Sequence, residues 1–210
     1  TATGSSYSAR SSSGTVAANG YVYSIGGING ASAVTQTVQY AKVLANGDLG
    51  NWTTNAVNIP AVRTDPSVVY YNGYLYVTGG ATTNAAANAQ NTVYYGKVNI
   101  DGSVSSWNTG TLSAAVWEHS AQAYNGYLYI IGGQNTSGTN LTTISYAKIN
   151  ADGSLGSWSS AGTLSSAAAA STSAIANGYL YVLGGRNAGT STAVTQYGKI
   201  AANGTVSTSA

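Results

Sequence analysis

The sequence predicts an all-β protein, on three observations. A phrase of the form Asn-Gly-Tyr-x-Tyr-x-x-Gly-Gly occurs four times in 210 residues, beginning at Asn19, Asn72, Asn125 and Asn177. Each phrase opens with an Asn-Gly pair, which is the strongest short signal for a β-hairpin because both residues tolerate a positive φ. No segment keeps a helical period of apolar residues, and proline occurs only at positions 60 and 66.

Each repeat, about 50 residues long, is predicted to contain four strands. In the third repeat strand A is residues 120–124, strand B is 127–133, strand C is 143–149 and strand D is 154–158. Strand B is apolar on both faces, so we expect it to be covered on both sides. Strand A consists of small residues, which suit strands that converge on an axis.

Three features resemble the kelch motif of β-propellers: the Gly-Gly pair that closes strand B, the tyrosine on strand C and the tryptophan on strand D. The likeness is to the divergent kelch repeats of bacterial surface proteins. In that family an arginine and a histidine commonly precede strand A. Here Arg10 and Arg63 occupy the arginine position, and His119 occupies the histidine position. The resemblance implies one kelch-type β-propeller domain, residues 1–210, with four antiparallel blades at about 13–56, 66–110, 119–162 and 171–210.

The number of blades in the finished ring stays open at this point. Kelch propellers usually close with six or seven blades, and four wedges must open much wider to complete a circle. Three alternatives remain: a closed four-bladed ring, half of an eight-bladed homodimer, or part of a longer propeller. Both ends of the chain look cut between repeats, which favours completion of the ring by other blades, as a homodimer or a larger assembly.

Composition restricts the partners. Charged residues make up 6% of the chain and the net charge is +2, so no basic surface for nucleic acid is expected. Cysteine is absent, which excludes disulfides and thiolate metal sites, and no cofactor is expected. No apolar run is long enough to span a membrane. A surface rich in hydroxyls and amides suits an extracellular or cell-surface protein.

Ionisable residues that do not follow the repeat gather in two kinds of loop. The links from strand D to strand A carry Arg10, Arg63, Asp65, Glu118 and His119, and the loops from strand B to strand C contribute Arg186. Trp117 and Gln134 belong to the same loops. Both kinds of loop emerge on one face of an antiparallel blade, and loops on a rigid scaffold commonly carry function. These eight residues are the predicted contacts for a ligand or partner.

Two functions from different classes fit the sequence. The first is a binding or adhesion module that engages a glycan or a protein through the loop face, with Trp117 as an aromatic platform. The alternative is a structural building block of a surface layer, stalk or filament. Catalysis is not expected, because only Asp65 and Glu118 are available as a carboxylate pair and the single histidine has no partner in the pattern.

Overall fold

The chain folds into four antiparallel four-stranded sheets with almost no helix. The structure is a computed structural model that describes residues 7–209. Residues 1–6 and 210, which the sequence assigns to the same domain, lie outside the described residues. Within residues 7–209 the helical structure is one 3-10 turn, Ala86–Asn88. No helix of that range is long and apolar enough to cross a membrane.

In every sheet the strand order follows the chain. The first sheet consists of β2 (Gly14–Ala18), β3 (Tyr21–Ile25), β5 (Val38–Lys42) and β6 (Thr53–Thr54), beside a short pair, β1 (Arg10–Ser11) and β4 (Ile28–Asn29). The second sheet consists of β7 (Ser67–Tyr71), β8 (Tyr74–Thr78), β9 (Gln90–Lys97) and β10 (Asn108–Val116).

The remaining two sheets repeat this arrangement. The third consists of β11 (Ser120–Tyr124), β12 (Tyr127–Ile131), β13 (Thr143–Ile149) and β14 (Leu155–Thr163). The fourth consists of β15 (Thr172–Ala176), β16 (Tyr179–Leu183), β19 (Thr195–Ile200) and β20 (Val206–Ser209), beside a short pair, β17 (Arg186–Asn187) and β18 (Thr190–Ser191).

The strands of the third repeat agree with the sequence except in β12 and β14. β12 ends at Ile131, before the Gly-Gly pair that the sequence assigned to strand B. β11 and β13 have the bounds predicted for strands A and C, but β14 continues five residues beyond Trp158. The extension pairs with β13 through Ser160, Gly162 and Thr163. These polar and small residues lie on the edge strand, so no hydrophobic pattern predicts that the strand continues through them.

The Asn-Gly turns have the backbone that the sequence predicts. Asn19, Asn72, Asn125 and Asn177 have φ values between 48° and 51°, and the glycine after each has a positive φ as well. Two consecutive positive φ values match the right-handed twist of the flanking strands in a tight hairpin. Each first pair of strands is therefore held in register by its own turn.

Strand A of each sheet lies beside strand A of the next, in the order β2, β7, β11, β15. Small polar groups join them: the Ala121 amide donates to Ser67 Oγ at 3.0 Å, and the hydroxyls of Ser120 and Ser173 are hydrogen-bonded. The small side chains allow this approach. No closed ring is detected within residues 7–209, so the closed four-bladed alternative gains no support.

Consecutive sheets pack through a tyrosine pair on one and a hairpin on the next. On strands B and C, cross-strand tyrosine rings stack with centroids 5.8–6.2 Å apart: Tyr23 on Tyr40, Tyr76 on Tyr95, Tyr129 on Tyr146 and Tyr181 on Tyr197. We call the surface of a sheet that carries these stacked tyrosines its trailing face. We call the surface of a sheet that is formed by its C–D hairpin its leading face. The leading face of each following sheet lies against the trailing face of the sheet before it.

Tyrosine hydroxyls bind the hairpins at two of these junctions. Tyr23 donates to the Gly102 carbonyl at 2.7 Å, and Tyr76 donates to the Gly153 carbonyl at 2.9 Å. At the third junction the Tyr129 hydroxyl is buried and has no hydrogen-bond partner among the described residues. Burial raises the pKa of all three tyrosines, so all three hydroxyls remain protonated.

Replacing Tyr76 by Phe should destabilise the protein by about 1–2 kcal/mol, because the buried Gly153 carbonyl loses its donor. Tyr129→Phe is the matched control: the same atom is removed from an equivalent site with no bond to lose, so little change or a small gain is expected. Urea unfolding at an unchanged m-value measures both. Equal losses for the two variants would contradict the role assigned to the Tyr76 hydroxyl.

Candidate functional site

The D–A links and the B–C loops lie together at one end of the sheets. In each repeat the residue after the Gly-Gly pair forms a β-bridge with a residue of the link: Ser11 with Ile28, Thr64 with Ala81, Trp117 with Gln134 and Ala169 with Arg186. At the other end the C–D hairpins bind the A–B turns, as where the Val98 amide donates to the Gly73 carbonyl at 2.9 Å. The predicted site residues therefore belong to one end.

The four links meet at an open depression of about 210 Å³. Each repeat contributes two consecutive residues to it: Ser12 and Ser13, Asp65 and Pro66, Glu118 and His119, and Ala170 and Ser171. We call this depression the mouth. It brings together three of the predicted site residues, Asp65, Glu118 and His119.

The backbone of the mouth is the same in every repeat. Ser12, Asp65, Glu118 and Ala170 all have a positive φ, between 49° and 53°. The Asp65 amide donates to the Ser12 carbonyl and the Ala170 amide to the Glu118 carbonyl, both at 2.8 Å. These bonds tie neighbouring repeats together, so the four side chains are carried on a fixed frame.

A chain of polar contacts joins the third and fourth repeats next to the mouth. The Trp117 indole N–H donates to Gln134 Oε1 at 3.1 Å, and Gln134 Nε2 donates to Asn140 Oδ1 at 2.7 Å. Asn140 Nδ2 then donates to the Arg186 carbonyl at 3.0 Å. The Arg186 guanidinium closes the chain through an ion pair with Glu118. We call these five residues the polar chain.

A second open cleft of about 460 Å³ lies between the B–C loops of the third and fourth repeats. We call it the loop cleft; its lining is Gln134, Gly138, Thr139, Asn140, Asn187, Ala188 and Gly189. Gln134 and Asn140 belong both to this lining and to the polar chain. The hydrogen bonds of the polar chain therefore fix the positions of both side-chain amides.

His119 is buried, and its ring is held on one side only. Nε2 lies 2.8 Å from the hydroxyl of Thr78, and that hydroxyl donates to the Ser67 carbonyl at 3.1 Å. Nε2 must therefore carry the proton, which leaves Nδ1 as a buried acceptor with no partner in residues 7–209. Burial lowers the pKa of His119 to about 4, so the ring is neutral near pH 7.

Arg63 is not available to a ligand, contrary to the expectation that placed it on the binding face. Its side chain is 2% exposed, and its guanidinium is 5.0 Å from the centre of the Tyr94 ring. It donates to the hydroxyls of Thr92 and Tyr94 at 2.5 and 2.7 Å and to the Val62 carbonyl at 2.7 Å. The side chain turns into its own sheet because strand C offers hydroxyl acceptors there.

Arg10 makes the equivalent insertion in the first repeat. It donates to Gln39 Oε1 at 2.8 Å and to the Gly26 carbonyl at 3.1 Å. It is only half-buried and lies outside the mouth. Burial lowers the pKa of both arginines, but both stay charged. Their shared role is to hold the link against its sheet.

Trp117 is not an exposed platform. It is 8% exposed and packs against Ala81 and Ala89. A bridge to Gln134 turns the indole inward, where small alanines leave room for the ring. Its contribution to the site is the hydrogen bond that orients Gln134.

Several site residues were missed by the sequence reasoning. Asn140 carries no ionisable group, and nothing in its local sequence predicts a hydrogen bond to the next repeat. Ser12 and Ala170 carry no charge, but they stand at the repeat position of Asp65 and Glu118. Alignment of the four repeats would have found them, since the repeat spacing places them at the same turn.

The side chains of the mouth and the loop cleft are suited to hydrogen bonding. The mouth offers serine hydroxyls and two carboxylates, one of them neutralised by Arg186, and the cleft offers amides. No group of three His, Cys, Asp or Glu residues capable of holding a metal ion occurs among the described residues.

Comparison with known proteins supports the fold. No protein-family model matches the chain, and no curated protein matches it. Among solved structures, the one titled "Structure of YjhT" superposes with a TM-score of 0.78 at 15% identity, covering 98% of this chain and 70% of that chain. The fold is propeller-like. At this identity the likeness concerns the fold alone.

His119 should make the stability depend on pH between about 6.5 and about 4. Its folded-state pKa of about 4 lies below the ordinary 6.5, so the unfolded chain takes up the proton first as the pH falls. Its contribution is complete above pH 6.5 and is lost progressively towards pH 4, by about 3 kcal/mol in all. Chemical denaturation along a pH series measures this loss.

The control is His119→Ser, which places there the residue that the first and fourth repeats have at this position, Ser13 and Ser171. The variant should show a flatter stability profile in this range, whatever its absolute stability. Hydrogen bonds from Ser103 and Ser154 lower the pKa of Asp101 and Asp152, so these carboxylates act at lower pH. An unchanged slope in the variant would show that His119 is not the titrating group.

Proposed function

We propose that the chain is a non-catalytic binding module of kelch-type β-propeller architecture, which acts outside the cell or at its surface and engages a glycan through the mouth and the loop cleft. The observation that carries the proposal is convergence. Links from four repeats supply side chains to one open depression, and the polar chain connects that depression to a second one.

A glycan suits the side chains at this end of the protein. Sugar hydroxyls both donate and accept, so they match a lining of hydroxyls, amides and carboxylates. Asp65 and Glu118 are acceptors, while Asn140 and Asn187 offer both functions. Both depressions are open and shallow, which suits a chain of sugars lying across the surface better than an enclosed small molecule.

Rigidity supports the same assignment. The mouth is built on residues with one fixed backbone conformation, and its neighbours are oriented by hydrogen bonds. A site whose side chains are already placed loses little conformational entropy when it binds. The low charge and the absence of cysteine are compatible with a setting outside the cell.

Asp65→Asn and Asn140→Ala should each weaken glycan binding by about tenfold, the loss of one or two hydrogen bonds to ligand. Asparagine tolerates the positive φ at position 65, so the mouth keeps its backbone. A glycan array identifies the ligand, and calorimetry with the best hit measures the affinity.

Asp152→Asn is the matched control, because Asp152 is an exposed carboxylate on a C–D hairpin at the opposite end. It should bind as the unaltered protein does. Equal weakening in all three variants would contradict a site at the mouth. If no glycan on the array binds and a protein is captured through the same residues, the ligand is a protein and not a glycan.

A structural building block is the second candidate, and one observation favours it. The first and fourth sheets leave apolar side chains exposed on faces that the other sheets bury. Such faces suit repeated assembly into a layer, stalk or filament. Electron microscopy of concentrated protein would show ordered assemblies, whereas isolated particles at every concentration would exclude this function.

A further inference from the structure

Equivalent positions differ in exposure between the ends of the molecule and its interior. Directly after the strand C lysine, Val43 of the first sheet is 39% exposed, whereas Val98, Ile149 and Ile200 are 8–9% exposed. At the end of strand B, Leu183 of the fourth sheet is 41% exposed, whereas Ile25, Thr78 and Ile131 are fully buried. Within residues 7–209, the leading face of the first sheet and the trailing face of the fourth are therefore uncovered.

The three internal junctions show what covers such faces. The hairpin glycine of each following sheet lies directly on a tyrosine of the preceding one: Gly102 on Tyr21, Gly153 on Tyr74 and Gly204 on Tyr146. A Cβ added to any of these glycines would lie 2.5–2.7 Å from a ring carbon. At Gly47, the equivalent position of the first sheet, an added Cβ would meet none of the described residues within 4 Å.

The chain thus carries both halves of a junction that it makes three times. The free trailing face presents Leu183 and Val194 beside the stacked tyrosines of strands β16 and β19. The free leading face presents Val43, Leu44 and the open Gly47 hairpin. The residue types match those of the covered junctions: an apolar side chain and a bare glycine against tyrosine rings.

We propose that the trailing face of the fourth sheet binds the leading face of the first sheet in a second copy of this chain. The contact is head-to-tail, with Gly47 of one copy against the tyrosines of the fourth sheet of the other. Such an interface forms a ring if the rotation between copies closes and a filament if it does not. This association does not depend on the mouth or on any ligand.

Sedimentation of the purified chain over about 1 μM to 1 mM tests the association, because this range covers the dissociation constants of weak to moderate protein–protein contacts. The mass should rise from 21.1 kDa towards twice that value for a ring, or towards a longer series for a filament. A constant mass of one chain over the whole range would overturn the proposal.

Gly47→Ala should weaken the association by about tenfold or more, because the added methyl would collide with a tyrosine ring of the other copy. Gly73→Ala is the matched control. Gly73 has the same φ as Gly47, 86°, and an added Cβ there would likewise meet none of the described residues within 4 Å, so both substitutions strain the folded chain alike. Gly73 lies on the A–B turn of the second sheet, which carries neither of the two free faces. Equal association of the two variants would contradict the docking geometry.

Mixing two variants, each with one blocked face, gives a second, independent test of the contact. Val43→Asp alone and Leu183→Asp alone should each be monomeric, since each blocks one half of every junction. Mixed together they should form a heterodimer, because the mixture retains one intact leading face and one intact trailing face. Ile100→Asp serves as control, since Ile100 is 95% exposed but belongs to the second sheet, which carries neither of the two free faces. Failure of the mixture to associate would overturn the head-to-tail contact.

Discussion

The contact between a bare glycine and a tyrosine ring determines how the four sheets lie against one another. Gly102, Gly153 and Gly204 bring the backbone of one hairpin onto the rings of the preceding sheet, at a distance that no side chain would permit. The tyrosine provides a broad apolar surface and, at two junctions, a hydroxyl that satisfies the hairpin carbonyl. Because this contact fixes the distance between neighbouring sheets, strand B is covered on both of its faces and can carry apolar residues on each face.

The position of the candidate site follows from the same constraint. When the sheets are held at this spacing, their A strands lie side by side, joined by small residues and serine hydroxyls. The links that lead into these strands must then meet at one end. The mouth is therefore a consequence of packing along the length of the sheets, and its side chains other than that of the buried His119 could vary without changing that packing.

Much of the architecture could be predicted because it depends on short stretches of local sequence. Asn-Gly pairs specify tight hairpins, and apolar runs between them specify buried strands, so β11 and β13 could be placed to the residue. The extension of β14 could not, because its small and polar residues form no hydrophobic pattern and the strand is held by pairing with β13.

The candidate site was predicted less well, since the direction of a side chain depends on its neighbours across the sheet. The sequence places Arg63 and Trp117 in surface loops, but both side chains are buried. Arg63 donates hydrogen bonds to hydroxyls on strand C, and Trp117 packs against small alanines. Asp65 and Glu118 do reach the mouth. The contribution of Asn140 required knowledge that the B–C loops of two repeats adjoin.

The common backbone of the four link residues has an evolutionary consequence. Serine, aspartate, glutamate and alanine occupy one left-handed conformation at Ser12, Asp65, Glu118 and Ala170, although each incurs strain of about 1 kcal/mol there. A scaffold that accepts such different side chains at matching points allows the mouth to change without a change of fold. Descendants of one ancestral repeat could thus acquire a mouth of different chemistry through substitutions at these four positions, while the hairpins and tyrosines stayed constant.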